Sequence, residues 1–306
     1  PIQTIFTREE DMLNDMYRPA AKSRFRAVVS SSGEIEAWDN MMALQSVSKS
    51  SVSRMMGPMM APKPQSDEAT VEGAAHLPYM MKNRRVAFGD YASPIQVGFW
   101  RSVGSSQNAF FTECFMDECA AKAGIDPFEF RRSKLDNHPR FKAVLDKVAE
   151  MSDWGRAPEG SYQGIALHKS FGSIVGEVAR IRPLGDRKFS IDNYFAAIDC
   201  GTYVNPDTIE AQIEGGIVFG LSAALYGEIT WSDGTVDQRN FTQYDMVRMN
   251  VSPRVQAHIM EVDAYPGGVG EPGTPPAAPA LVNALYTATG ERSRSLPLKK
   301  HGYTFV

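Results

Sequence analysis

Apolar residues alternate with polar ones at Phe25, Ala27 and Val29, and a second apolar-rich run follows the turn Ser31-Ser32-Gly33. A period of two interrupted by a turn predicts a hairpin over 22–29 and 34–47. Upstream, Ile2, Ile5 and Phe6 read as the end of a strand. The period then changes. Phe110, Phe111, Cys114, Phe115 and Cys119 recur at three- and four-residue steps before Gly124, which predicts a helix over 107–124. Asp126-Pro127 carries the N-cap and first-turn residues of another helix, and 140–151 makes a third.

The second half returns to strand patterns at 164–168, 174–183 and 188–199, with Gly185-Asp186 turning between the last two. Residues 207–227 are apolar and long enough for a helix, yet hold Gly215, Gly216 and Gly220. Each glycine costs an exposed helix interior about 1 kcal/mol relative to Ala, so this helix is expected to lie close to another backbone. Ser232-Asp233-Gly234 is a turn, 255–262 a strand, and 276–290 the last helix, opened by prolines and closed by glycine. Residues 55–64 hold Met55, Met56, Met59 and Met60 around Gly57-Pro58, then Pro62 and Pro64. They read as a loop packed by flexible side chains, or as an adaptable channel lining.

Composition narrows the function. With 306 residues, 43% hydrophobic and 22% charged, the chain can bury a sizeable core. A net charge of −4, from 32 basic and 36 acidic residues, argues against nucleic acid as the main partner. No apolar run reaches the roughly 20 residues of a membrane span. The three cysteines, Cys114, Cys119 and Cys200, are too few for a disulfide scaffold or a cysteine-ligated iron–sulfur cluster within this chain. CxxxxC matches no common metal site, so all three read as packing. The histidines at 76, 138, 168, 258 and 301 lack ligand spacing.

Gly268-Val269-Gly270-Glu271-Pro272-Gly273 fits GxGxxG, and Glu291 lies about 20 residues on. A dinucleotide fingerprint must open a helix within its glycines, however, and Pro272, Pro275 and Pro276 delay the helix here. The same loop reads better as a rigid holder for one carboxylate. Glycines allow close backbone approach, prolines fix the loop, and apolar surroundings would raise Glu271 towards a useful base. Glu271 as a plain N-terminal helix acid is the alternative.

GVGEPGTPP resembles the C-terminal signature of the xanthine oxidase/aldehyde oxidase family of molybdenum hydroxylases, in its isoquinoline oxidoreductase beta-subunit branch. Three further segments resemble the family in order. They are TREEDMLNDMYRP (7–19), FWRSVGSSQNAFFTECFMDECA (99–120) and DCGTYVNPDTIEAQIEGGIVFGLSAAL (199–225). The resemblance implies an α+β fold of mixed sheets with packed helices, in two lobes, 1–154 and 155–306. It implies a molybdenum–molybdopterin cofactor in its cytosine dinucleotide form, held by Arg101, Ser105, Ser106, Gln107, Gln212, Gly215, Gly216 and Gly270. Glu271 becomes the base in hydroxylation of an aldehyde or N-heteroaromatic carbon, with water as oxygen source.

The match also has departures. Xanthine oxidases carry RGFG where this chain has Arg101-Ser102-Val103-Gly104. Val103 and Trp100 would therefore line a substrate pocket without the ring that sandwiches a purine, and Phe99 and Trp100 serve either that pocket or the core. The family's GGGFG-type and MGQG-type loops are absent, and the chain opens on Pro1. The resemblance thus implies the C-terminal portion of a bacterial large subunit, of periplasm or cytoplasm, partnered by the rest of that subunit and by an iron–sulfur subunit. Alone, the portion is expected to be inactive. A structural or assembly fragment that keeps the fold without binding cofactor is the alternative.

Overall fold

The computed structural model describes residues 1–60, 67–91 and 93–306. In chain order its helices are α1 (Arg8–Asn14), α2 (Val47–Met56), α3 (Glu68–Val71), α4 (Val103–Ala123), α5 (Pro127–Arg132), α6 (Pro139–Met151), α7 (Pro206–Leu225) and α8 (Ala277–Thr289). Its strands are β1 (Ala21–Val29), β2 (Ile35–Leu44), β3 (Arg84–Asp90), β4 (Tyr162–Ser170), β5 (Ser173–Gly185), β6 (Lys188–Asp199), β7 (Trp231–Ser232), β8 (Thr235–Val236), β9 (Arg254–Ile259) and β10 (Thr304–Phe305). The predicted hairpin is the antiparallel pair β1–β2, and β3 adds to β2 in parallel. Phe25 of β1 stacks on Phe115 of α4, which ties this small sheet to the helix layer.

The second sheet runs β10-β6-β5-β4, with β9 also paired to β6. Both of its faces are buried, so alternate residues feed different cores. Ile165, Leu167, Ile174, Val178, Phe195 and Ala197 join residues of α4, α5 and α6. Ala166, Val175, Ala179, Tyr194, Ala196 and Ile198 join α7 and α8 on the other side. This is the expected α+β class. The expected lobe boundary near 155 falls between α6 and β4, and the first of these cores takes residues from both sides of it.

Helix α4 closes the open edge of β4. Its Glu113 accepts from the Leu167 amide at 3.0 Å, from Arg131 Nε at 2.9 Å and from Tyr79 Oη at 2.8 Å. Glu113 and Arg131 are both fully buried. A buried ion pair survives only when its remaining lone pairs and protons are matched, and this one is so matched.

Three expectations change. Ile2, Ile5 and Phe6 form no strand and stand in solvent, because Thr7 accepts from the Glu10 amide and caps α1 instead. The described methionines of the Met/Pro stretch are exposed at the end of α2 and in a 3₁₀ turn, so they are not loop packing, while Pro62 and Pro64 lie outside the described residues. Helix α4 starts at Val103, four residues earlier than its periodicity predicts. Gly104, Ser105 and Ser106 break the apolar pattern yet are buried in its first turns.

Candidate active site

Three segments far apart in sequence converge at the N-terminus of α4. Arg101 precedes that helix, Gln212 lies on α7, and Gly270 and Glu271 lie in the loop before α8. Arg101 donates from Nε to the Gly270 carbonyl at 2.8 Å and from Nη2 to Gln212 Oε1 at 3.0 Å. One guanidinium therefore pins loop to helix through its planar fork. Burial lowers the Arg101 pKa, and the nearby Glu271 charge offsets part of that.

Glu271 is half-buried. Its Oε1 accepts from the Ser102 amide at 3.1 Å, and its carbonyl accepts from Ser102 Oγ at 2.7 Å and from the Thr274 amide at 3.0 Å. Oε2 accepts no hydrogen bond among the described residues. Its setting is thus not the apolar pocket expected from the loop's composition: the carboxylate meets an amide beside a guanidinium. Ser102 adopts φ 70°, a left-handed conformation that glycine takes without penalty. The residue that replaces the family's glycine therefore sits where glycine would fit best, and spends its hydroxyl on Glu271.

The N-terminus of a helix with a guanidinium beside it is a ready anion site. Two carboxylates of the chain already take its free amides, as the macrodipole favours. Glu271 holds Ser102, and Glu72 Oε1 accepts from the Ser105 amide at 3.3 Å. Burial raises the Glu72 pKa; the Ser105 and Gly104 amides oppose that, and the like charge of Glu271 adds to it. Nothing in the local pattern at Glu72 singled it out, because it reaches the site only through the packing of α3 on α4.

The other candidate residues divide. Gly215 faces open space, with no atom within 4 Å of where a Cβ would stand. Gly216 and Gly220 meet the expected close backbone approach, from Gly273 and Thr274 respectively. Ser106 and Gln107 are not gathered at Glu271. Ser106 Oγ accepts from Arg18 Nη2 at 3.0 Å, and Gln107 lines a cavity with Arg18. Trp100 packs on Phe219, with ring centroids 4.6 Å apart, and carries the Arg18 guanidinium 4.2 Å from its centroid. Val103 is half-buried at the start of α4, and Phe99 is 62% exposed rather than in the core. No helix opens inside the GxGxxG run, since α8 begins at Ala277.

The thiols are buried or half-buried and unpaired, and burial pushes all three up. Among the described residues no group of three or more His, Cys, Asp or Glu side chains is placed to hold a metal ion. Nor, among them, is any helix long and apolar enough to cross a membrane. The convergent set does fit a pterin cofactor. An amide, a guanidinium and side-chain-free glycine backbone stand beside one carboxylate, and Gly215 leaves room on α7.

This combination of mixed sheets and convergent loops defines a molybdopterin-binding chain. Models of the molybdopterin cofactor-binding domain match residues 1–135 and 156–253, together most of the chain. The chain belongs to the xanthine oxidase/aldehyde oxidase family of molybdenum hydroxylases. It is 30% identical over 307 residues to isoquinoline 1-oxidoreductase subunit beta of Brevundimonas diminuta, covering 97% of this chain and 38% of that one. It is 28% identical to a membrane-bound aldehyde dehydrogenase [pyrroloquinoline-quinone] of Gluconacetobacter polyoxogenes, covering 98% and 42%. Quinoline 2-oxidoreductase from Pseudomonas putida 86 shares the fold with a TM-score of 0.77 at 13% identity, over 96% of this chain and 63% of that one. The chain thus spans about two-fifths of the length of these two curated relatives.

Proposed function

We propose that this chain is the C-terminal portion of a molybdenum hydroxylase large subunit and carries its catalytic base, Glu271. The complete enzyme hydroxylates an aldehyde or an N-heteroaromatic carbon, with water as the oxygen source. When bound, the molybdenum–molybdopterin cofactor, in its cytosine dinucleotide form, supplies the oxygen nucleophile and the electron sink. Arg101, Gln212, Gly215 and the Gly270 backbone hold it, and Gly216 acts indirectly by letting α7 touch the loop.

The observation that supports this most is the asymmetry of the Glu271 carboxylate. Ser102 fixes Oε1 while Oε2 has no donor among the described residues, so one oxygen orients the group and the other can accept a proton. Val103 in place of an aromatic ring favours aldehydes or larger N-heteroaromatics over purines. Electrons leave through iron–sulfur clusters on a partner subunit, since this chain has too few cysteines to ligate one.

The test is activity of the complete enzyme with an artificial electron acceptor, against paired panels of aldehydes and N-heteroaromatics. Turnover of aldehydes or of non-purine N-heteroaromatics supports the reading, and turnover of purines alone overturns the specificity assignment. Elemental analysis of the 306-residue chain alone separates the portion from the whole. It is expected to hold well under one molybdenum per chain, and stoichiometric metal would contradict that.

A further inference from the structure

Trp100 also lines a second feature, a cavity of about 210 Å³. Its wall includes Arg18, Ser106, Gln107, Phe110 and Thr274. Its polar side chains are short of acceptors. Arg18 donates to Ser106 Oγ and stacks on Trp100, but has no carboxylate within ion-pair reach among the described residues. A guanidinium has five donors, so most of those on Arg18 are left over. Among the described residues Thr274 Oγ1 is buried with no partner, and the Gln107 side chain makes a single hydrogen bond, its Oε1 accepting from Ser106 Oγ. Its amide nitrogen is therefore a third free donor.

Thr274 Oγ1 is a buried polar group, and such groups are ordinarily paired; Arg18 is half-buried, and a charge so placed is ordinarily compensated. Cation–π stacking compensates a guanidinium only in part. Desolvation pulls Arg18 down to about 10, with nearby Tyr244 opposing it, and at that value the guanidinium remains charged at neutral pH. A charged fork, an amide and a hydroxyl turned on one small space call for a ligand that accepts hydrogen bonds and carries negative charge.

We propose that this cavity is a binding site for a small oxyanion, a carboxylate or a phosphate, held by Arg18, Gln107 and Thr274. The site is separate from the Glu271 centre and does not depend on the reading of that centre. It adjoins it through the stack Arg18–Trp100–Phe219, on whose last ring Arg101 also lies, at 5.6 Å.

The test uses the 306-residue chain, titrated with inorganic phosphate and separately with acetate, each at constant ionic strength made up with chloride. Tryptophan fluorescence and thermal midpoint are read, and Trp100→Phe identifies the reporting ring. One or both anions are expected to give a saturable fluorescence change with a matching rise in midpoint, and the preferred anion tells phosphate from carboxylate. Arg18→Gln is expected to weaken that binding at least tenfold and Thr274→Val several-fold. Arg18→Lys keeps the charge but loses the fork and the stack, and is expected to weaken binding with the fold intact, should Arg18→Gln not fold. A response linear in concentration for both anions, or unchanged affinity in a folded Arg18 variant, would overturn the proposal.

Discussion

Ser102 holds Glu271 at two points, its amide on the carboxylate Oε1 at 3.1 Å and its hydroxyl on the carbonyl at 2.7 Å. Backbone and side chain of the candidate base are thus fixed by one residue 169 positions earlier in the chain.

Removing only the hydroxyl separates positioning from folding. Ser102→Ala keeps the amide bond, loses one hydrogen bond of about 1 kcal/mol, and leaves a Cβ at φ 70°. Ser102→Gly loses the same bond but relaxes the backbone, so it is expected to be the more stable variant by about 1 kcal/mol in urea unfolding. Both are expected to lower kcat of the complete enzyme several-fold with little change in KM. A normal kcat in both would remove Ser102 from the positioning of Glu271.

The glycines of α7 make opposite predictions. Gly215→Ala adds a methyl where nothing stands within 4 Å, and is expected to stabilise the helix by up to about 1 kcal/mol. If Gly215 also faces the cofactor, that variant loses molybdenum from the complete enzyme despite its stability. Gly220→Ala places a Cβ 2.7 Å from the Thr274 carbonyl, and overpacking of this kind costs about 1–3 kcal/mol. Thermal midpoints of the two variants are expected to move in opposite directions.

The buried Glu113–Arg131 pair ties α4 to α5 and to the edge of β4. Glu113→Gln leaves the buried Arg131 guanidinium with only Asp117, at 3.6 Å, as a charged partner, and is expected to cost about 3 kcal/mol in chemical denaturation. A loss below about 1 kcal/mol would mean that the helix layer is held by apolar packing alone.

Acid stability tests the burial of His168. Burial lowers its pKa to about 4 from a usual value near 6.5. Between those values the unfolded chain binds the extra proton and the folded chain does not. Stability is therefore lost as pH falls from about 6.5 to about 4, by roughly 3 kcal/mol at most. Glu177, which burial holds protonated, works in the opposite sense, but equally in a His168 variant. The stability of wild type relative to His168→Gln is expected to be flat above about pH 6.5 and to fall below it; a difference independent of pH would place His168 in contact with water.

Much of this architecture is legible from local pattern, because β5 and β6 are apolar runs bounded by a turn and α5 and α8 carry explicit start or stop residues. Asp126 and Gly290 cap the helices their residue types announce. The start of α4 was not legible, since its first turns bury Ser105, Ser106 and Gln107 for reasons of long-range contact. Glu271, Arg101, Gln212 and Gly270 could be picked out because motif resemblance carries them as a set. Glu72, Ser102, Arg18 and Phe219 matter through tertiary proximity, and no spacing rule reaches across 30 to more than 160 residues. The polar setting of Glu271 was missed for the same reason, as loop composition does not say which helix terminus the loop will face.

The central claim is that Glu271 is the base, and the most direct measurement is the turnover of Glu271→Gln in the complete enzyme alongside its molybdenum content. Glutamine can still accept from the Ser102 amide, so cofactor and fold are expected to be retained while turnover falls by a factor on the order of 10²–10⁴ or more, the usual contribution of a positioned base. Turnover near the wild-type rate at full molybdenum occupancy would contradict the account.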